Sequence, residues 1–327
     1  MQITLKELNA LVLKILSTHY TKSNARRISD VIMFAQLSGR VTHGLIRLTP
    51  GSHGAFVDTI PVAPTYTHKT KLSTMINGGG NPGMLIAPLA TQEVIKLATK
   101  NGFGIVGTTN SQNSIGALTY YSYQISQSKL IGMIYARPPA TMAAFGTTKA
   151  IFGTNPLAVS FPMDPLPLIF DMSSSAITYG AIAGHKLAGT QLPPNVAIDS
   201  KGNMTQDPSA VAGGAILPFD ISHKGSGIAL MVELLAGVWT DSSYLDIKKD
   251  KGLGNLFIAF SPELLTDLTS FTVNLLDFAT RLQQMSVRTD AIRLPGSKSL
   301  TTYKANIERG AIEVDNTLYD QLLSQVK

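Results

Sequence analysis

Four glycines fall within Asn77-Gly78-Gly79-Gly80-Asn81-Pro82-Gly83, and the reading of this turn separates one kind of α/β protein from another. A phosphate-binding P-loop ends in Gly-Lys-Ser/Thr, which this turn lacks. A doubly wound dinucleotide fold carries Gly-x-Gly-x-x-Gly between an early strand and a helix. The glycines around Gly78 and Gly102 are read as lacking that context, so a dinucleotide bound by this chain would require another fold. The text before the turn, 51–83, is rich in Gly, Pro and Thr. It reads as connecting loop with short extended pieces around Val62 and over 72–76. The text after it predicts a helix over 84–100, with Leu89, Val94, Ile95 and Leu97 apolar.

Working outward, the chain begins with two helices. Residues 4–20 place Leu5, Leu8, Leu11, Val12, Ile15 and Leu16 at helical spacing. Thr4 and Glu7 form a capping-box pattern at the start. A second helix is predicted over 23–39, with Ile28, Val31, Ile32 and Ala35 on its apolar face and Gly39 as its stop. Beyond the glycine turn, buried strands are predicted at 104–107, 131–135, 157–161, 168–171 and 254–260. Helices are predicted at 117–129, 224–239 and 271–284, with a last one from about Thr317. The pattern is mixed α/β, with no internal repeat and no low-complexity tract.

The bulk numbers exclude several function classes. The 327 residues are 44% hydrophobic and 15% charged. Such low charge fits a surface partly covered by self-association, and equally an enzyme with a large core. The formal net charge of +6 fits a mildly basic solvated surface or attraction for an anionic ligand. The densest basic run, Lys248-Lys249-Asp250-Lys251, is broken by an acid and reads as a surface loop, so no nucleic-acid partner is expected. With no cysteine, disulfides, thiolate metal sites and cysteine nucleophiles are excluded. The six histidines are scattered without ligand spacing, so no metal is expected. The opening Met-Gln-Ile-Thr-Leu-Lys-Glu-Leu is not a secretory signal. No apolar run reaches the length of a membrane span. A cytoplasmic location is the expectation.

Six segments, taken in order, carry a family resemblance. They are 39–47 (Gly-Arg-Val-Thr-His-Gly-Leu-Ile-Arg), 152–156 (Phe-Gly-Thr-Asn-Pro), 170–175 (Phe-Asp-Met-Ser-Ser-Ser), 198–208, 216–227, and 293–296 (Arg-Leu-Pro-Gly). Together they resemble the type-2 malate/L-lactate dehydrogenase family, a group of NAD(P)H-dependent oxidoreductases. The stretch 213–219, then His223-Lys224-Gly225, then 232–236, resembles most the branch that reduces cyclic ketimines such as piperideine- and pyrroline-2-carboxylate. The diketogulonate reductases come next, through Lys224-Gly225-Ser226-Gly227 and Ala291-Ile292-Arg293-Leu294-Pro295-Gly296. The resemblance implies a non-Rossmann NAD(P)-binding mixed sheet domain, at 63–270. Beside it would stand a helical lobe built from both chain ends, 1–62 and 271–327. A homodimer and a small carboxylate substrate are also implied.

Chemistry can then be assigned residue by residue. Reducing a C=O or C=N bond needs a proton as hydride arrives, and imidazole can give one near neutral pH. The resemblance makes His43 that donor; on residue type alone His43 also fits a helix-terminus histidine. Thr42 stands where the family has Ser and can orient the imidazole or bond substrate. Arg47 suits a two-pronged grip on a substrate carboxylate, and Thr154 matches a substrate-contacting position. For the cofactor, Ser114-Ile115-Gly116-Ala117-Leu118 precedes a helix whose free N–H groups suit a pyrophosphate. Asp171-Met172-Ser173 ends a strand, and its Asp could accept from a ribose or amide. His223 and Lys224 open another helix beside a phosphate. Arg293, Leu294, Pro295, Gly296, Ser297, Lys298 and Ser299 form a loop that suits a 2′-phosphate, which favours NADPH, with NADH the alternative.

Two departures stand out. Ser114 replaces a family histidine that is treated as a base, and serine cannot do that work at neutral pH. Ala181 replaces an Asp of a proposed relay to the histidine, and an imidazole without its carboxylate has a lower pKa and a less fixed tautomer. Three functions follow in order. The first is NAD(P)H-dependent reduction of a cyclic 2-imino carboxylate. The second is a 2-oxo/2-hydroxy acid dehydrogenase of malate, lactate or diketogulonate type. The third is a catalytically degenerate ligand-binding protein.

Overall fold

The computed structural model describes residues 1–327 except 59, 246, 248, 286–291 and 327. Lys248 of the basic run and Ala291 ahead of Arg293 therefore lie outside the described residues. The helices are α1 (Leu5–Leu16), α2 (Lys22–Leu37), α3 (Gly83–Asn101), α4 (Leu118–Gln127), α5 (Tyr179–Ala188), α6 (His223–Glu233), α7 (Leu268–Gln284), α8 (Ser297–Arg309) and α9 (Asn316–Ser324). The strands are β1 (Gln2–Thr4), β2 (Thr65–Thr70), β3 (Ser73–Asn77), β4 (Phe103–Ser111), β5 (Ile131–Ala136), β6 (Met142–Ala143), β7 (Ala150–Phe152), β8 (Leu157–Phe161), β9 (Leu168–Met172), β10 (Ala197–Ile198), β11 (Ala215–Ile216), β12 (Leu253–Phe260) and β13 (Ala311–Glu313).

Seven strands form one mixed sheet in the order β2-β3-β4-β12-β5-β8-β9. Only β3 and β4 run parallel; the other neighbours are antiparallel. The late strand β12 fills the centre, with both edges bonded and with Leu256, Phe257 and Ala259 buried. A smaller sheet, β10-β11-β6-β7, lies apart from it. The chain ends meet: β1 pairs antiparallel with β13, and the Asn306 amide donates to the Leu37 carbonyl at 2.8 Å. Leu8, Val12 and Ile15 of α1, Ile28 and Ile32 of α2, and Leu322 of α9 share one core with Val106, Ile134 and Phe257 of the sheet. The helices from both ends thus pack on the sheet.

The glycine turn corrects one expectation. Gly78, Gly80 and Gly83 have the Gly-x-Gly-x-x-Gly spacing, and they do lie between a strand, β3, and a helix, α3, with β4 parallel to β3. Their amides are nevertheless spent inside the fold. Gly78 N donates to Thr109 O, Gly80 N to Asn110 O and Gly83 N to Gln112 O, at 2.7, 2.9 and 2.7 Å. A Cβ on Gly83 would lie 2.6 Å from Ile115 Cγ2, so side chains close the helix start. A phosphate needs those N–H groups turned outward. The fold is non-Rossmann because, apart from β3 and β4, the neighbours in this sheet are antiparallel rather than joined by parallel crossovers.

Other elements match or depart for local reasons. The capping box is present: Glu7 N donates to Thr4 Oγ1 at 3.2 Å, and the Glu7 carboxylate accepts from Thr4 N. Val62 forms no strand; its N–H and C=O bond Gly79 O and Asn81 Nδ2. The helix expected over 224–239 stops at Glu233 and continues as a π-helical turn, Leu234–Val238. The 293–299 segment is a loop only to Gly296, where α8 begins. The α8 sequence hides its helix because Leu300 alone is fully buried on its inner face. The α5 helix, which periodicity did not reveal, is capped by the Thr178 hydroxyl on Ala181 N.

Candidate active site

The α2 helix ends at Leu37, and Gly39 takes a left-handed φ of +76°. A 3-10 turn over Val41–His43 and a second over Leu45–Leu48 follow. Gly44 sits between them against Gln36: a Cβ there would lie 3.0 Å from Gln36 Cα. Gln36 Oε1 accepts from Leu45 N at 3.1 Å, so a larger residue at 44 would rotate His43 away from its place.

Arg47 is built in rather than left on the surface. Its Nε donates to Thr42 O at 2.8 Å and an Nη to Ser52 O at 2.5 Å. Burial lowers its pKa, yet a guanidinium remains charged at neutral pH. Among the described residues no carboxylate pairs with it. His43 is half-buried, and its Nδ1 lies 3.1 Å from Thr42 Oγ1. Burial, then the Arg47 and Arg40 charges, pull the imidazole pKa down to about 4. At rest the ring is neutral. The α5 helix reaches this turn, since a Cβ on Gly180 would lie 3.3 Å from Thr42 Cβ. The next residue is Ala181, so the helix brings no acid there. Ser114 is tied to the same neighbourhood through the loop after Arg47: its N–H donates to His53 O at 3.0 Å, and its Oγ accepts from Gly116 N.

The α4 start differs from its expectation. Ile115, Ala117 and Leu118 are buried. Thr119 N and Oγ1 donate to Asp171 Oδ2 at 3.0 and 2.5 Å, and an Arg40 Nη reaches the same oxygen at 3.1 Å. A carboxylate from the end of β9 already caps this positive helix end. Of the amides at this helix start, Thr119 N and Gly116 N are already bonded within the protein, and Asp171 Oδ2 is committed there as well. Met172 and Ser173 follow on β9 and beyond it. Ser173 Oγ donates to Thr154 O at 3.0 Å, which brings two of the sequence-derived residues together. At the α6 start His223 and Lys224 are exposed, and Asp220 caps the helix through Ser222 N and Gly225 N. Among the described residues no hydrogen bond or ion pair joins His223 or Lys224 to the His43 turn.

Arg40 was missed by residue-level reading although it lies inside the 39–47 motif. It lines a recess of about 210 Å³ with Asp171, Arg293, Leu294, Pro295, Gly296, Lys298 and Ser299. Gly296 (φ +81°) presses on Ile169 O, where a Cβ would approach to 2.8 Å. Ser297 turns inward, its Oγ donating to Leu294 O. Arg293 and Lys298 have no acidic partner among the described residues, and Arg40 Nε is buried with no acceptor. Three cations, one of them with an unmatched buried donor, fit an anionic group such as a dinucleotide phosphate. No cluster of three or more His, Asp or Glu of metal-ligating kind occurs among the described residues, and no helix there is long and apolar enough to cross a membrane.

Comparison with known proteins adds a lineage to this geometry. A family model described as malate/L-lactate dehydrogenase matches residues 3–323. The malate/(S)-sulfolactate dehydrogenase of Methanothermus fervidus is 29% identical, over 98% of this chain and 96% of its own. The fold is shared with malate dehydrogenase from Entamoeba histolytica, at a TM-score of 0.90 and 22% identity over 99% and 97% of the two chains. It is also shared with delta1-piperideine-2-carboxylate reductase from Pseudomonas syringae, at 0.87 and 23% over 99% of each.

Proposed function

The chain belongs to the malate/L-lactate dehydrogenase family, an oxidoreductase family, and we propose that it reduces a small 2-oxo carboxylate to the 2-hydroxy acid, with Arg47 gripping the carboxylate and His43 giving the proton. One observation carries this reading: Arg47 is held by two backbone carbonyls beside His43, with no acidic partner among the described residues. A prealigned guanidinium without a partner is the arrangement a substrate carboxylate completes.

The resting electrostatics give the substrate a second role. His43 is neutral partly because of Arg47 and Arg40. A carboxylate on Arg47 cancels part of that field and raises the proton affinity of the imidazole. An anion in place thus favours the protonated form that a donor must have. As the 2-carbon gains hydride, the His43 proton passes to the carbonyl oxygen and the ring returns to neutral. Thr42 Oγ1 holds Nδ1, which leaves Nε2 for that transfer. A nicotinamide cofactor supplies the hydride when bound. Arg40, Arg293 and Lys298 with Ser299 would hold its phosphates, with Met172, Ser173, His223 and Lys224 as further contacts; the cationic recess favours NADPH.

The cyclic 2-imino carboxylate, first in order from the sequence, becomes the second reading. Its support is the likeness of 213–219 and 223–225 to the ketimine branch. An imine nitrogen is basic and arrives as a cation, which Arg40 and Arg47 would repel, and Ala181 brings no carboxylate to offset them. The homodimer remains part of the proposal, with the exposed apolar side chains Leu230, Met231, Val238 and Trp239 as its surface; sedimentation tests it.

The deciding experiment is oxidation of NADPH and NADH with a panel of 2-oxo acids and cyclic 2-imino acids, run beside His43→Ala. Turnover of a 2-oxo acid that is lost in His43→Ala is the expected result. Faster turnover of the imines would promote the second reading. Absence of any cofactor binding by nicotinamide fluorescence would leave the degenerate binding protein.

A further inference from the structure

The most completely buried charges in the described chain lie away from His43. Arg137, just after β5, and Glu233, at the end of α6, have 2% exposure each. Arg137 Nε donates to Glu233 Oε1 at 3.1 Å, and Leu245 N donates to the same oxygen at 2.8 Å. The other carboxylate oxygen, Oε2, accepts from Asn155 Nδ2 at 2.8 Å. Asn155 Nδ2 also reaches Ala229 O at 2.9 Å. Asn155 is fully buried at φ +35°, a left-handed backbone that few side chains tolerate. It directly follows Thr154.

The turn that holds these residues is gripped on every side. The Thr154 carbonyl accepts from Ser173 Oγ, Ser174 N and Ser174 Oγ, each at 3.0 Å. Gly153 presses on Pro138, where a Cβ would come within 2.4 Å of the carbonyl. Ala136 N donates to Pro156 O. The Thr154 hydroxyl makes no hydrogen bond among the described residues and its side chain is partly exposed, whereas Asn155 Oδ1, also without a partner, is buried.

A buried ion pair is a poor source of stability, because desolvation offsets most of its attraction, and apolar residues would join α6 to β5 as well. What apolar residues lack is an acceptor for Asn155. We propose that the Arg137–Glu233 pair, acting through Asn155, is a positioning device that sets Thr154 in the substrate site; this rests on the reading of Thr154 as a substrate contact. Glu233 is fixed by Arg137 and by Leu245 N, so its free oxygen is a rigid point. Asn155 is anchored to that point and to α6, and its left-handed backbone turns Thr154 outward. A misplacement of about 1 Å in such a contact costs on the order of a hundredfold in rate.

Two variants separate positioning from folding. Asn155→Gly keeps the left-handed backbone and removes both anchoring bonds. Glu233→Gln keeps an acceptor for Arg137 and Leu245 and turns an amide N–H₂ toward Asn155 Nδ2, donor against donor. Both are assayed with the panel member that the wild type turns over fastest, together with cofactor affinity by nicotinamide fluorescence and amide hydrogen exchange at 153–155. The expected result is at least a tenfold rise in substrate KM, unchanged cofactor affinity, and exchange at 153–155 faster by at least tenfold. A lower melting temperature with unchanged KM and unchanged local exchange overturns the proposal. Thr154→Val is measured beside them. If it leaves KM and kcat unaltered, the substrate role of Thr154 fails on its own account and the positioning role falls with it. If it impairs KM while Asn155→Gly does not, only the positioning role is lost.

Discussion

The His43 turn and the Glu233 cluster treat charge in opposite ways. Around His43, Arg47 has only carbonyl partners among the described residues, and α5, which meets Thr42 at Gly180, carries Ala181 next and no acid. Around Glu233 both carboxylate oxygens are matched, the partner guanidinium is buried with it, and water is excluded. A charge that a ligand must complete is left open and costs the resting protein some stability. A charge that must hold a backbone in place is closed on itself. The contrast is visible in the ring: His43 is driven neutral by its surroundings, to a pKa of about 4.

The comparison can be broken in four places. The largest effect is expected on the open side: His43→Ala lowers kcat/KM by about 10² to 10⁴-fold, the usual contribution of a positioned proton donor, while cofactor affinity is retained. A variant that keeps full kcat/KM across the pH range would remove His43 from the chemistry. On the closed side, Glu233→Ala removes the acceptor of Arg137 Nε and of Leu245 N and is expected to destabilise the fold by about 1–3 kcal/mol, read by denaturant unfolding. A loss under 1 kcal/mol would mean that solvent reaches Arg137 and that the cluster is not closed.

The third effect is a pH dependence with a definite sign. In the unfolded chain His43 binds its proton near the ordinary value of 6.5, whereas in the fold it does so near 4. As pH falls through that window the unfolded state takes up the proton first, so stability drops. The contribution present above pH 6.5 is lost by pH 4, amounting to roughly 3 kcal/mol at most. His43→Gln should flatten that part of the profile, and parallel profiles for the two proteins would contradict the burial of a neutral imidazole. The smallest effect is Arg40→Gln. Arg40 is the last of the three causes that depress His43, so the imidazole pKa should rise only slightly, followed by NMR titration. A fall would mean that freeing Asp171, the ion-pair partner of Arg40, matters in some other way.

Much of the fold was legible because it is written in short-range chemistry. The α1 helix declared itself through Thr4, Glu7 and a leucine stripe, and β12 through the apolar run 256–260. Gly39 marked the end of α2 and so placed Thr42, His43 and Arg47 on one turn. The recess was half legible: Arg293 and Lys298 could be read as phosphate ligands, whereas Arg40 needed the fold to bring it to Asp171. The α8 helix was obscured because one buried leucine is too thin a stripe for a periodicity to show.

By itself the sequence determined the family, many of the strands and helices, and the turn that carries Thr42, His43 and Arg47 with its own local stops. Those depend on neighbours within a few residues, whose spacing is readable in one dimension. Tertiary structure alone decided which charges are spent and which are open. Asp171 reaches Thr119 across 52 positions, and Glu233 reaches Asn155 across 78. Whether a helix start, a glycine turn or a carboxylate can receive a ligand depends on what already fills it. The glycine turn at 77–83 shows the rule most plainly. Its spacing is that of a phosphate cradle, but the carbonyls of Thr109, Asn110 and Gln112 occupy the N–H groups that a phosphate would need. An amide donates its one proton to whatever the packed chain brings nearest, and the spacing of glycines says nothing about that.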